Sequence, residues 1–341
     1  MAPVIRKDFH MQKITLVTGI NGGLGSNIAK QLLLKGEKVV GLTKNPKNQS
    51  LLHLEGLAEK ITYAKGDICD LDTIRNILKD HQITHVFHCA GYTTIQSAHA
   101  SPLDCFRTNI MGTATILEAA RLNGDIKGIL CMESDKSYGN FEFKELPYRE
   151  HQALKPQGVL DASKAATSYV ALSYYHNYQV PVFTARASSL YGPGDFNETR
   201  LIVGSTLRLL RGESPVIYEG VSNNIREFLY LEDAARIMTQ MMDKISTAAG
   251  KAYNVGSGYK YTVREVIEQL TKTSGLDIKP LIKPLTNKAI VISEQFLDCS
   301  RMLSLLPSNV TQCLGLKEGL SKTFSWYKRF TPNKEELRNA A

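Results

Sequence analysis

Residues 14–36 of this chain read ITLVTGINGGLGSNIAKQLLLKG. An apolar run, Ile14 to Val17, meets three glycines spaced Gly19-x-x-Gly22-x-x-Gly25, and Ile28, Leu32 and Leu33 continue at helical spacing. Strand, tight glycine turn and helix, in that order, are the context in which such a turn binds a dinucleotide. Glycine is needed where φ is positive or where the backbone approaches a pyrophosphate, and the helix start offers unpaired N–H groups to the anion. Gly19, Asn21, Gly22, Gly23, Leu24 and Gly25 are therefore the expected cofactor cradle.

Lys38 to Leu42 is a short buried-type strand closing at Thr43-Lys44-Asn45-Pro46. In a dinucleotide fold the residue closing this strand meets the adenosine ribose, and an acid there favours a free 2′-hydroxyl. Thr43, with Lys44 and Lys47 beside it, repels no 2′-phosphate, so NAD and NADP both stay open, as does a merely solvated role for the lysines. Residues 61–68, ITYAKGDI, predict a third strand that brings Asp67 and Ile68 to the cofactor, Asp67 being suited to a base edge. The fourth, His85 to Gly91, stops in the small residues Ala90 and Gly91, where a cofactor can lie close. A helix over Pro102–Leu122 and a strand over Ile126–Met132 follow. Repeating βα units with short links imply one parallel sheet covered by helices. Beyond Arg186 the pattern loosens, and the chain from Tyr191 is expected to form a second region over the ligand, with Thr262 capping a helix and a polar tail fraying from Asn333.

The 341 residues are 43% apolar and 22% charged, ordinary for a globular protein with one or two domains. No run approaches the roughly 18 apolar residues of a membrane span. Arg6, Lys7, Asp8 and His10 interrupt Met1–Gln12, which is unlike a signal peptide. Six scattered cysteines with no C-x-x-C spacing indicate reduced thiols in a cytoplasmic protein and no metal site. The net charge of +8 is spread singly, which fits anionic nucleotide ligands and not nucleic acid.

Thr18-Gly19-x-x-Gly22-x-x-Gly25, Gly66-Asp67-Ile68, His88-x-Ala90-Gly91, Asn109-x-x-Gly112-Thr113, Ser134-Asp135-Lys136-x-Tyr138-Gly139, Ser163-Lys164, Leu190-Tyr191-Gly192-Pro193-Gly194 and Arg226-Glu227-Phe228 occur in order. As a set, over about residues 14–275, they resemble the extended short-chain dehydrogenase/reductases that act on nucleotide sugars, the NAD-dependent epimerase/dehydratase family. Ser134-Asp135-Lys136 followed by YGPGDFNETR, residues 191–200, looks most like the CDP-glucose 4,6-dehydratase branch. The resemblance implies a seven-stranded, doubly wound Rossmann sheet over 12–190, with returning segments near 226–256. It implies a smaller substrate lobe over 191–225 and 257–332, and a homodimer joined through helices near 102–122 and 160–177.

Such enzymes oxidise a sugar C4 hydroxyl by hydride transfer to a nicotinamide, eliminate water or invert a centre, and return the hydride. The resemblance gives Lys164 to the nicotinamide ribose, Ser134 to a sugar hydroxyl, Asp135 to the departing C6 hydroxyl and Lys136 to the position of the C5 base. It adds Asn109 as an organising residue beside the cofactor, and Asn197 and Arg226 as substrate contacts, Arg226 at the pyrophosphate. The family's catalytic tyrosine stands four residues before the lysine, and here that residue is Leu160. Leucine exchanges no proton. Three explanations stay open: a relocated base (Glu133, Asp135, Lys136, Asp161 or a water on Lys164), a nucleotide-sugar-binding protein that has lost turnover, or an engineered change. Tyr169, Tyr174 and Tyr175 are expected to be packing residues, not replacements.

Overall fold

Alternation along the strands decides the layering. The computed structural model describes residues 13–45, 50–284 and 292–330; Lys47, Met1–Gln12 and the tail from Asn333 lie outside them. The first strands are β1 (Ile14–Thr18), β2 (Lys38–Thr43), β3 (Thr62–Lys65), β4 (His85–His88), β5 (Gly128–Ser134) and β6 (Val182–Ala187). Leu16, Val86, Ile129 and Val182 pack with Ile74, Leu78, Ile116 and Leu117 on one face. Their neighbours Val17, Phe87, Leu130 and Phe183 pack with Ile28, Leu32, Met238 and Met241 on the other. Successive side chains leave a strand on opposite faces, so runs that are apolar throughout require helices on both sides.

After β6 come β7 (Ser189–Tyr191), β8 (Val216–Tyr218), β9 (Ile225–Tyr230), β10 (Ala252–Val255), β11 (Lys260–Thr262), β12 (Leu281–Lys283) and β13 (Glu294–Gln295). The main sheet has the order β10-β6-β5-β4-β1-β2-β3, all parallel, as the resemblance implied. Its order reverses between β1 and β4, the place where open α/β sheets bind ligands beyond their strand ends. β10 returns to the sheet edge, and helix Leu231–Met242 packs on helix Gly23–Leu34. A second sheet pairs β11, β9 and β13, with β7 also on β9, and β12 pairs β8.

Local chemistry sets the ends. Asp70 caps helix Leu71–Asp80 by accepting from Thr73 N, and Thr262 and Glu265 form a reciprocal box at the start of helix Val263–Ser274. The helix expected over 102–122 is instead three joined pieces, Pro102–Phe106, a π-turn Arg107–Met111, and Gly112–Asn123. Asn109 stands in the widened turn. Its Oδ1 accepts from Tyr92 N at 2.8 Å, its Nδ2 donates to Ser163 Oγ at 2.8 Å, and its own carbonyl accepts from Thr113 and Thr167 hydroxyls. Those side-chain bonds compensate for the opened ladder, where helical periodicity alone implies a regular helix.

A buried ion pair crosses from β5 to β6. Arg186 Nε lies 2.9 Å from Glu133 Oε2, with Ser168 donating to the same oxygen. Burial pushes the Glu133 carboxyl up and Arg186 opposes it.

Candidate active site

Gly19 sits at φ +66°, and its carbonyl accepts from Gly22 N at 2.9 Å. A Cβ on Gly25 would stand 2.3 Å from that carbonyl oxygen, so helix Gly23–Leu34 reaches the turn only as glycine. The turn opens on a cavity of about 930 Å³ lined by Gly19, Asn21, Gly22, Gly23, Leu24 and Gly25 at one end. Asn21 Oδ1 is buried without a partner among the described residues. Bare glycine backbone and an unpaired acceptor suit the hydroxyls and phosphates of a dinucleotide.

A second cavity of about 470 Å³ shares Gly19, Ala90 and Gly91 with the first and is lined by Thr43, Lys44, Asp67, Ile68 and Arg107. Asn21 Nδ2 donates to Thr43 Oγ1 at 3.2 Å, tying the glycine turn to the end of β2. Asp67 accepts from Cys69 N, and that bond, aided by Lys44 and Arg107, holds its carboxyl below the ordinary range. His88 is a satisfied core histidine between Thr18 and Thr113 hydroxyls, pushed down to about 3 by burial and therefore neutral.

Beyond the glycine turn, the larger cavity is walled by Ser134, Asp135, Lys136, Leu160 and Lys164. Lys164 is buried, and its Nζ donates to Met132 O at 3.2 Å; burial pushes the ammonium below its ordinary range. Ser134 Oγ donates to Asp135 Oδ1 at 3.0 Å. Burial raises the Asp135 carboxyl, with Lys136 and then Ser134 and Arg226 opposing. A carboxyl shifted toward its neutral form is suited to give a proton to a leaving oxygen. Leu160 is 4% exposed and packs with Ala98 and Cys105, so the wall is apolar at this one residue.

The far end is formed by residues 195–203. Asn197 lines it, but its Oδ1 is closed into a turn by Thr199 N and Oγ1. Two of the expected contacts line neither of these two cavities. Asn109 lies behind Gly91, where a Cβ would meet its Oδ1 at 2.5 Å. Arg226 donates to the carbonyls of Ile225, Ser293 and Ile292, which turn its guanidinium into a clamp on the segment before β13. Among the base candidates, Glu133 lines the cavity with its Oε2 held by Arg186 and Ser168 and its Oε1 buried without a partner among the described residues, and Asp161 accepts from Gly158 N at the start of helix Val159–Tyr178. Tyr174 and Tyr175 pack against the core as expected, whereas Tyr169 is 62% exposed.

Several lining residues carried no sequence signal. Thr93, Thr94 and Gln96 reach the cavity from the start of helix Ile95–Ala100, and Arg200 does so while pairing with the buried Asp195 at 3.0 Å. Only the run YGPGDFNETR pointed to this last group, without saying which residue faces inward. Among the described residues no cluster could hold a metal, and no helix is long and apolar enough to cross a membrane.

The sequence profile of the family described as GDP-mannose 4,6 dehydratase matches residues 16–327. A trifunctional UDP-glucose 4,6-dehydratase/UDP-4-keto-6-deoxy-D-glucose 3,5-epimerase/UDP-4-keto-L-rhamnose-reductase of Arabidopsis thaliana is 29% identical over 321 residues, covering 92% of this chain and 47% of that protein. The chain thus spans about half the length of the first curated relatives it matches. A dTDP-glucose 4,6-dehydratase of Streptomyces niveus is 26% identical with 92% of each chain covered. Among solved structures, dTDP-glucose 4,6-dehydratase from Bacillus anthracis in complex with NAD superposes with a TM-score of 0.80 at 24% identity, covering 93% of this chain and 97% of the other. UDP-glucose 4-epimerase of Thermotoga maritima with UDP-glucose gives 0.83 at 24%, covering 94% and 100%. At these identities the structures establish a shared fold.

Proposed function

Since the chain belongs to the GDP-mannose 4,6-dehydratase family, within the extended short-chain dehydrogenase/reductases, we propose that it is a nicotinamide-dependent nucleotide-sugar dehydratase, acting at C4, C5 and C6 of a nucleotide-linked hexose. The observation that carries this reading is one cavity walled by both the glycine turn and the Ser134, Asp135, Lys136 and Lys164 side chains. The CDP-glucose branch is the nearest fit to Ser134-Asp135-Lys136.

The dinucleotide, when bound, supplies a hydride acceptor and later a hydride donor. Lys164 holds the nicotinamide ribose, and Ser134 Oγ orients the sugar C4 hydroxyl, whose proton passes to a water on Lys164 as the hydride leaves C4. Asp135, whose carboxyl burial raises toward the neutral form, gives a proton to the departing C6 hydroxyl, and Lys136, acting as the neutral amine, takes the C5 proton. The smaller cavity receives the adenosine end. Asn197 and residues beside it in the 195–203 wall meet the nucleotide-linked substrate. The Rossmann domain comprises 12–190 with returning segments near 226–256, and 191–225 with 257–332 forms the substrate lobe. Leu103, Met111 and Tyr169 are 81%, 56% and 62% exposed on the helices near 102–122 and 160–177, and we assign them to a homodimer contact.

A second reading is favoured by Leu160. It occupies the tyrosine position, and its apolar packing on Ala98 and Cys105 leaves no proton acceptor there. A lost acid–base group commonly removes about 10²–10⁴-fold of rate, and a binder with little turnover would share every other feature. Mass spectrometry of the protein incubated with CDP-, UDP-, GDP- and dTDP-hexoses separates the two. Loss of one water supports the dehydratase, and binding without water loss or isomerisation supports the binder.

A further inference from the structure

One face of helix Val159–Tyr178 carries Leu160, Lys164 and Ser168 at successive turns, all buried where the helix lies on β5 and β6. Lys164 Nζ donates to the carbonyl of Met132, and Ser168 Oγ donates to the side chain of the next residue, Glu133. One helical turn thus joins the lysine to the neighbourhood of a carboxylate, and both Lys164 and Glu133 line the larger cavity. The bond to Met132 uses one of the three ammonium donors. Among the groups that oppose burial at Lys164, Glu133 is the foremost.

Glu133 is 3% exposed, and Arg186 and Ser168 engage its Oε2. Its Oε1 is buried with no hydrogen-bond partner among the described residues, as is the hydroxyl of the neighbouring Ser137. A buried acceptor left unpaired is costly, and a native fold that keeps one calls for a reason. The remaining groups that face this carboxylate are Tyr138, whose hydroxyl accepts from Arg186 Nη1 at 3.1 Å, and Cys131, two residues back on β5.

Resting on the dehydratase reading above, we propose that Glu133 is the positioning residue that answers for the tyrosine absent at Leu160: its Oε1 receives, through Lys164, the proton lost by the sugar C4 hydroxyl. As the C4–H bond breaks and its electron pair leaves as hydride for the nicotinamide, the C4 hydroxyl proton moves to the water on Lys164. Nζ takes a proton from that water as it gives one of its own to Glu133 Oε1, so the lysine ends as the ammonium it began. C4 is oxidised, the nicotinamide is reduced and the carboxylate becomes an acid. Its proton passes to solvent when the 4-keto product leaves, and Asp135 regains its own from solvent.

The test uses the full chain with its dinucleotide and the nucleotide hexose that loses water, and compares Glu133→Gln with Glu133→Gln/Arg186→Met. The double variant leaves neither charge of the buried pair alone, so it decides by itself should Glu133→Gln fail to fold. Rates are counted per dinucleotide-binding site, which removes unfolded protein from the comparison. Each variant is expected to lose about 10²–10⁴-fold in kcat with KM little changed. The wild-type kcat should fall on the acid side, and an infrared carboxylic-acid band missing from the double variant should rise with the same midpoint, whereas the acid limb disappears from that variant. A double variant that keeps the wild-type kcat, or keeps the acid limb, overturns the role of Glu133 and leaves the dehydratase standing. Absence of water loss by the wild-type protein from every CDP-, UDP-, GDP- and dTDP-hexose overturns the dehydratase reading and this proposal together.

Discussion

Gly25→Ala is the sharpest perturbation of the glycine turn. The added methyl would stand 2.3 Å from Gly19 O, 2.9 Å from Gly19 C and 3.2 Å from Ile20 Cα, all backbone atoms with no rotamer to yield. Restoring ordinary contact requires the turn and helix Gly23–Leu34 to part by about 1 Å, an overpacking that costs about 1–3 kcal/mol. At about 2–4 °C per kcal/mol for a domain of this class, thermal unfolding should fall by about 2–12 °C. The same displacement opens the pyrophosphate cradle, so dinucleotide affinity falls further than stability does. Gly36→Ala is the control: Gly36 has φ +73° and nothing within 4 Å of an added Cβ, so it carries backbone strain without crowding and leaves the cradle in place. Differential scanning calorimetry with and without NAD⁺ or NADP⁺ reads both quantities. Wild-type melting and wild-type cofactor stabilisation in Gly25→Ala would refute the close approach on which the cradle depends.

Burial holds His88 near 3 and His85 near 4, against 6.5 for an ordinary histidine, so below pH 6.5 the unfolded chain takes up protons that the folded chain does not. Denaturant midpoints should therefore drop as pH falls from 7.5 to 4.5, and His88→Gln should flatten that slope; an equal slope in the variant removes His88 as its source. Glu133→Gln leaves Arg186 with a neutral partner in a buried site and should cost about 3–5 kcal/mol in chemical denaturation, the range for breaking a buried pair. Loss of less than about 1 kcal/mol would mean that water reaches the pair. Leu103→Glu with Tyr169→Glu should halve the mass seen by light scattering with circular dichroism unchanged, and a monomeric parent would dismiss the dimer. Asp135→Asn should abolish elimination while cofactor binding persists; unaltered water loss would remove Asp135 as the acid.

The parallel sheet was legible because its signals are local: an apolar run into glycines, then repeating strand and helix periods. The cofactor side was legible for the same reason, and the residues expected there do line the two cavities, Asn109 excepted. Asn109 shows the limit. Its spacing gives a regular helix, whereas bonds to Tyr92 and Ser163, far apart in sequence, select a π-turn. Arg226 shows another limit, because an arginine suited to phosphate serves equally well for backbone carbonyls, and only the position of residues 292–293 decides between them. Tyr169 fails as a packing residue since helical period cannot distinguish an internal face from one left exposed. Arg200 and Thr93 went unseen because short loops bring them to the cavity with no period of their own.

The central claim is turnover in a cavity where Leu160 stands at the position that the family resemblance gives to a tyrosine. Mass spectrometry of products from the CDP-, UDP-, GDP- and dTDP-hexose panel, with isomers resolved by chromatography and Leu160→Tyr run in parallel, tests it most directly. The account predicts that the unmodified protein removes one water from one of these nucleotide hexoses. Binding of a nucleotide sugar with neither water loss nor isomerisation, together with turnover appearing only in Leu160→Tyr, would contradict it.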